Sequence, residues 1–442
     1  MRNQRIPKRP HVQGDDEALR LRRSAGELTD GAGLLLVRKL WDRMELGAYI
    51  DQQAKEIGGW YRPSLMVEMW VALLLYGGTG MDDLPRLAKR GVRRLFGWKS
   101  VPDPTTYGRW LRRAGEKLTS QLDRLLWRMV QMRWKVAGVP REVMLVLDSH
   151  VAVRYGEKQA GAEKGYNPKK PGRRSHHPLV AFLAETGDCM GVRWRAGNAH
   201  TAEGACAWIE ELVKRLREAG VERITLRMDK GFFSKEMVLT LQRLNVDYVL
   251  KVPAYKPFRR LLGSLRPSKK DKRLWTGSAS LYGARLLAVE QRRELKTEDG
   301  ELELGAVELQ KRAYVLTNLP RLHAVSAWRL YNSGAVVESR IKELVQLGAG
   351  ATAVDDLGGN QLLWGMTVLA YQVQHTIRTQ GLSGSWRRAE PNRLRNLLFR
   401  MPAKLTAHAR KRYVQIMREE SLGDLLLRAL RRMEALGPPL PV

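Results

Sequence analysis

Cysteine is nearly missing from this sequence: Cys189 and Cys206 are the two among 442 residues. They are too few and too far apart for a disulfide framework or a paired-cysteine zinc site, so the fold must rest on its apolar core, and a reducing compartment suits it. Long apolar runs are missing too. The most hydrophobic stretch, Leu65 to Tyr76, is about a dozen residues long and contains Glu68. That is well short of the ~20 residues a membrane-spanning helix needs, and no membrane partner is expected. The first ten residues, MRNQRIPKRP, carry charge with no apolar segment behind them, and no secretory signal is expected.

Acidic residues are the third shortage. With 46 Asp and Glu against 77 Lys and Arg the formal net charge is +31. A chain this basic, with 44% hydrophobic residues to build cores, is expected to be a folded protein whose partner is a polyanion, with nucleic acid ahead of a ribosomal or membrane-surface role.

Residues 1–24 read as a flexible basic arm, with seven Lys or Arg and little apolar content. From 25 to about 140, apolar residues recur at helical spacing (Leu35, Leu36 and Leu40; Leu65, Trp70, Leu73 and Leu74; Leu122, Leu125, Leu126 and Met129), which predicts an all-helical domain for DNA binding or dimerisation. After Pro102 and Pro104 the sequence TTYGRWLRR predicts a short helix capped by Thr105 or Thr106. Its Arg109 and Arg112 form a basic face, suited either to a DNA groove or to solvent.

The pattern changes at Met144. MLVLD (144–148) is an apolar run ending in an aspartate, as in a strand buried on both faces. A basic loop follows, with seven Lys or Arg against two Glu between Arg154 and His176. Lys169, Lys170, Arg173 and Arg174 are its candidate phosphate contacts; a solvated loop is the alternative. Two strands joined by Thr186-Gly187-Asp188, a helix, the strand ITLRMD (224–229), a second helix and the strand DYVLKVP (247–253) make a β-β-β-α-β-α-β order. That order predicts a mixed α/β sheet over 141–255 and 321–380. Residues 256–320 read as a β insertion. Helices are expected over 324–347 and 359–378, followed by basic helices over 381–442.

Asp148 and Asp229 end two strands of one expected sheet, and Glu338 lies on the helix beyond the insertion. Carboxylates at adjacent strand ends are disfavoured unless they are paired or bind a cation, and oxygen donors there suit Mg²⁺ or Mn²⁺. Two such ions about 3.5 to 4 Å apart can drive displacement at phosphorus. Taken singly, each acid also has a bland reading, as a turn, cap or solvated residue.

Several segments together resemble the bacterial DDE insertion-sequence transposases, most of all the insertion-sequence thirteen-eighty family. They are LDSHVA (147–152), YNPKKPGRRSHHPLVAFLAETGDCMGVRWRAGNAH (166–200), LRMDKGFF (226–233), RAYVLTNLP (312–320) and YNSGAVVESRIKELV (331–345). The resemblance runs from about Gly33 to the C-terminus. It implies an RNase H-like mixed sheet with a β insertion before the last catalytic helix, and Asp148, Asp229 and Glu338, 81 and 109 residues apart, as ligands of two Mg²⁺ or Mn²⁺ ions. It also implies cleavage at transposon ends, joining of the 3′-hydroxyls to target DNA, a homodimer on double-stranded DNA, and a cytoplasmic, nucleoid-associated protein. Tyr331 matches the motif around the glutamate and is a candidate DNA contact. Gly334 and Val345 stand where relatives carry Arg and Lys, with Arg340 and Lys342 nearby as alternative phosphate contacts. A metal-dependent nuclease without strand transfer, or an inactive DNA-binding derivative, fits the same residues.

Overall fold

In the computed structural model the described residues are 27–155, 159–165, 167, 170–200, 202–269, 271–296, 302–332, 335–408, 411–418 and 420–436. The basic arm, Lys169 and Gly334 lie outside them.

A short strand β1 (Glu27–Thr29) precedes helices α1 (Leu35–Arg43), α2 (Leu46–Gln53), α3 (Pro63–Leu75), α4 (Arg90–Phe96) and α5 (Pro104–Ala137). The expected short helix at 105–113 is the start of α5, which runs for 34 residues. Its cap is Asp103, whose carboxylate accepts the Thr106 N–H, so Thr105 and Thr106 are the second and third helical residues after Pro104. Helix α3 is apolar nearly all round and buried, as its sequence requires.

Next come β2 (Glu142–Ser149), three short strands β3 (Ala152–Val153), β4 (Glu163–Lys164) and β5 (Arg174–His176), and the hairpin β6 (Leu179–Leu183) and β7 (Cys189–Arg193). They are followed by α6 (Ala205–Glu218), β8 (Arg223–Met228), α7 (Lys235–Arg243) and β9 (Asp247–Val252). The β-β-β-α-β-α-β order read from the sequence is therefore present, with the basic loop adding its own small sheet in the order β3-β5-β4. The insertion contains α8 (Lys256–Leu262), β10 (Arg266–Pro267), β11 (Leu274–Leu281), β12 (Ala284–Lys296) and β13 (Leu302–Thr317). It is continuous with the central sheet, because β13 pairs antiparallel with β9 from Tyr314↔Val252 to Thr317↔Val249. The result is one nine-stranded sheet, ordered β10-β11-β12-β13-β9-β8-β2-β6-β7, in which only the β2–β8 and β8–β9 pairs are parallel.

Helices α9 (Ala324–Asn332) and α10 (Ala335–Gln346) replace the single helix expected over 324–347. Asn332, Ser333 and Gly334 are poor helix formers in succession. Helix α11 (Leu357–Thr376) is buried over almost its whole length. It crosses α5 at very short range: a Cβ on Gly115 would stand 2.3 Å from the Gly358 carbonyl carbon, so only glycine permits the approach. One apolar core therefore takes residues from α1–α5, from α10 and α11, and from one face of the sheet (Val146, Val180, Phe182, Val192). The opposite face (Leu145, Leu147, Ala181, Leu226) packs against α6 and α7.

The C-terminal expectation of helices alone needs correction. After a three-residue turn of helix α12 (Pro391–Arg393), strands β14 (Ala403–His408) and β15 (Lys411–Gln415) pair antiparallel, and β14 pairs on its other side with β1. Alternation decides it: Ala403, Leu405 and Val414 turn to the core while Lys404 and Lys411 do not. One helix, α13 (Gly423–Ala435), follows.

Candidate active site

Strand alternation sets the position of the first carboxylate. Val143, Leu145 and Leu147 of β2 face α6 and α7, which leaves Val146 and Asp148 on the other face of the sheet. Strand β8 lies beside it in parallel register, with Leu147 opposite Met228, so Asp229 leaves the neighbouring strand at the same edge. Glu338, in the first turn of α10, covers that edge. The three carboxylates, with Arg227 and Tyr331, line one polar cavity of about 90 Å³. Residues separated by 190 positions in the chain thus meet at one spot.

Burial, together with the negative charges of Asp229 and Glu338, pushes the Asp148 carboxyl up to about 6, against which the Ser149 N–H (2.7 Å to Oδ1) and the Arg227 guanidinium work. Asp229 is half exposed; it accepts the Tyr331 hydroxyl at 2.8 Å and lies 3.8 Å from Lys251 Nζ. Tyr331 is itself held neutral, its hydroxyl pushed far up by burial and by Asp229. Both cations sit over its ring, Lys251 at 4.7 Å and Arg227 at 5.5 Å from the centroid. Burial lowers the Arg227 pKa, opposed by Tyr331, Asp148 and Glu338.

Arg227 and Lys251 were not singled out by sequence reasoning, although a signal exists. Lys251 is the single cation of β9, and Arg227 stands two residues before Asp229, on the same face.

The donor set is all oxygen and strongly anionic, which fits a hard divalent cation. A carboxyl raised by burial and by its neighbours' negative charge is the condition such a cation would relieve. Among the described residues, however, no three His, Cys, Asp or Glu side chains are arranged to hold a metal ion. In this arrangement Asp229 is engaged by Tyr331 and Lys251 instead.

The other predicted contacts separate into groups. Lys170 and Arg173 are exposed and sit over the Tyr155 ring at 4.9 and 5.6 Å, forming a basic patch around an exposed aromatic. Arg174 lies on β5, donates to the Ala162 carbonyl at 3.1 Å and is 3.8 Å from Glu163, so part of its hydrogen-bonding capacity is committed to the fold. Arg109 is exposed on α5, whereas Arg112 pairs with Asp355 at 2.8 Å. Lys342 is exposed on α10.

Arg340 faces elsewhere. It joins Glu343 at 2.5 Å, which in turn meets Arg378 at 3.1 Å, inside a buried polar network that includes Asp188, Gln372 and His375. It also packs over Gly187, where φ is +73° and a Cβ would lie 2.8 Å from the Arg340 Nε. The network ties α10 to the β6–β7 turn and to α11. The histidines beside the site have structural partners: His176 contacts the Ala160 carbonyl at 3.0 Å, His177 the Ala199 carbonyl at 3.1 Å, and His150 stacks near Trp364. Trp275 lies under the Arg292 guanidinium at 4.1 Å, Phe232 is fully buried, and Cys189 and Cys206 are unpaired with each other. No helix among the described residues is long and apolar enough to cross a membrane.

Comparison with known proteins adds the following. The family described as "Transposase DDE domain group 1" matches residues 12–438. No curated protein matches the sequence. Among solved structures, the chain is similar to a piggyBac transposase synaptic complex with hairpin DNA, at 14% identity and a TM-score of 0.44, covering 93% of this chain and 86% of that one.

Proposed function

This chain belongs to the group 1 DDE-domain transposases, and from that premise we propose that it cuts transposon ends and joins the freed 3′-hydroxyls to target DNA, with Asp148, Asp229 and Glu338 as its catalytic carboxylates. The observation that carries the reading is their convergence on a single polar cavity. An RNase H-like core is supported by the strand order β7-β6-β2-β8-β9 with its parallel β2–β8–β9 portion. Membership of the insertion-sequence thirteen-eighty group, and with it a bacterial, nucleoid-associated origin, rests on the sequence blocks quoted above.

The three carboxylates would hold two Mg²⁺ or Mn²⁺ ions, which supply an acidified water or hydroxyl and charge neutralisation at the scissile phosphate. The chain's own groups do the rest. Lys251 and Arg227 bring positive charge beside the cavity, where a phosphodiester would be drawn in. Tyr331 would restrain Asp229 through its hydroxyl hydrogen bond at the edge of the cavity. Substrate DNA would be gripped through its phosphates by Lys170, Arg173, Arg109 and Lys342, with Lys169, Arg174 and Arg112 adding charge nearby, and two copies of the chain would pair the two transposon ends. Arg340 is better assigned to holding α10.

The test is incubation of the protein with DNA carrying its flanking inverted repeats and a labelled target, with and without Mg²⁺ or Mn²⁺. Metal-dependent strand cleavage and joined products are expected. Cleavage without joining would reduce the protein to a nuclease, and binding without cleavage would make it an inactive derivative. Within the same assay, Arg173→Ala should lower the slope of log affinity against log salt by about 0.9, the value for one lost phosphate contact on duplex DNA. An unchanged slope would return Arg173 to the solvated surface.

A further inference from the structure

Trp60 is the most exposed large apolar residue of the described structure, at 92%. Indoles are ordinarily kept out of water, and the surroundings of this one carry a particular charge. Its loop is pinned on two sides: the Tyr61 hydroxyl meets Ser100 Oγ at 3.0 Å, and a Cβ on Gly59 would stand 2.7 Å from Arg113 Nη2. The first contact brings Lys99 alongside and the second brings Arg113, with Arg109 one helical turn earlier on the same face of α5. Arg62 follows Trp60 by two residues at the start of α3. All four cations are exposed, and no ion pair among the described residues engages any of them. The nearest acids along these elements are Glu56, Asp103 and Glu116, and the Asp103 carboxylate is taken up by the Thr106 N–H and hydroxyl at the start of α5. None of these residues lines the carboxylate cavity.

We infer that this surface is a second DNA contact, at which Trp60 stacks on an unpaired base while Arg62, Lys99, Arg109 and Arg113 hold the flanking phosphates. The inference rests on the DNA-transposase reading for its partner and on the loop geometry for its mode. An exposed aromatic on a pinned loop, with cations nearby that no ion pair among the described residues engages, suits a strand that presents both base faces and phosphates. A protein partner would be expected to pair such cations with acids and to prefer a broader apolar surface than one side chain. The stacking mode explains why the indole is left in water: every base has a π-face, and an indole can receive one without any sequence requirement.

The experiment compares wild-type protein with Trp60→Ala and Trp60→Phe, by fluorescence anisotropy, on a labelled 30-base-pair duplex and on the same duplex with an internal three-base mismatch bubble, without divalent metal. Trp60→Ala should weaken binding to the bubble about 5- to 100-fold, the range base–aromatic stacking reaches, leave the fully paired duplex nearly unchanged, and be rescued in large part by Trp60→Phe. The double substitution Lys99→Ala with Arg113→Ala should weaken both DNAs and flatten their salt dependence. Equal affinity of wild type and Trp60→Ala for the bubble overturns the inference, as does a change in sedimentation coefficient on substitution without any change in DNA binding. Failure of the wild type to bind either DNA would overturn the transposase reading itself, a different outcome from the first.

Discussion

Asp148→Asn and Asp229→Asn should each lower the rate of DNA strand cleavage by about 10²- to 10³-fold, the scale on which loss of one group stabilising transition-state charge is felt. Affinity for duplex DNA should stay within about twofold, because affinity is set by phosphate contacts on the basic surfaces and not by carboxylates. The substitution is a narrow one. Asparagine keeps the shape of the side chain, and at position 148 its carbonyl oxygen can still accept the Ser149 N–H that the aspartate accepts at 2.7 Å. What changes is the charge and the ability to hold a cation. Glu338→Gln should behave likewise, since Glu338 lines the same cavity from α10. Single-turnover cleavage with Mg²⁺ and then Mn²⁺, alongside anisotropy on the same DNA, separates the two effects. Retained cleavage in both aspartate variants would remove these residues from the chemistry.

The parts of this site that could be read from the sequence are those where local pattern and global position agree. An apolar run closed by Asp148, and a strand-like run closed by Asp229, read as strands of one mixed sheet with polar ends, and the structure sets β2 and β8 side by side in parallel although β6, β7 and α6 lie between them in the chain. Tyr331 is legible through its motif as a DNA contact; what its hydroxyl meets in the structure, Asp229, is not. Side chains whose role depends on partners far along the chain were not legible. Arg340 reads as a free cation on a helix, yet Glu343, Arg378 and the β6–β7 turn take it out of solvent. Arg112 likewise finds Asp355, more than 200 residues away in sequence. The hairpin β14–β15 was missed because a count of basic residues and leucines registers composition, whereas strand pairing with β1 depends on alternation and on a partner near the other end of the chain. The continuity of the insertion with the central sheet was invisible for the same reason, since the β9–β13 pairing is a long-range choice between two strands that each look complete.

Asp148 also ties the site to stability, and the sign is opposite to that of an ordinary salt-bridged carboxylate. Its folded-state pKa is about 6, above the ordinary 3.8, so between those values the folded protein binds more protons than the unfolded chain. Stability therefore falls as pH rises through this window, and the full penalty is present above pH 6. At 1.36 kcal/mol per pK unit it is on the order of 3 kcal/mol. Asp148→Asn has no charge to bury, so in the presence of a chelator the variant should be more stable than wild type by roughly that amount at pH 8, with the advantage shrinking toward zero near pH 4. Asp123, another carboxyl raised by burial, is present in both proteins and cancels in the comparison. A divalent cation would relieve the same charge, so millimolar Mg²⁺ or Mn²⁺ should raise the wild-type unfolding midpoint and close most of the gap, with a much smaller effect on Asp148→Asn. Chemical denaturation at pH 4, 6 and 8, with chelator and with metal, reads both effects without any dependence on cleavage. A stability difference that is constant across pH would show that burial of the Asp148 charge is not what it measures, and an equal metal response in the two proteins would place the cation away from Asp148.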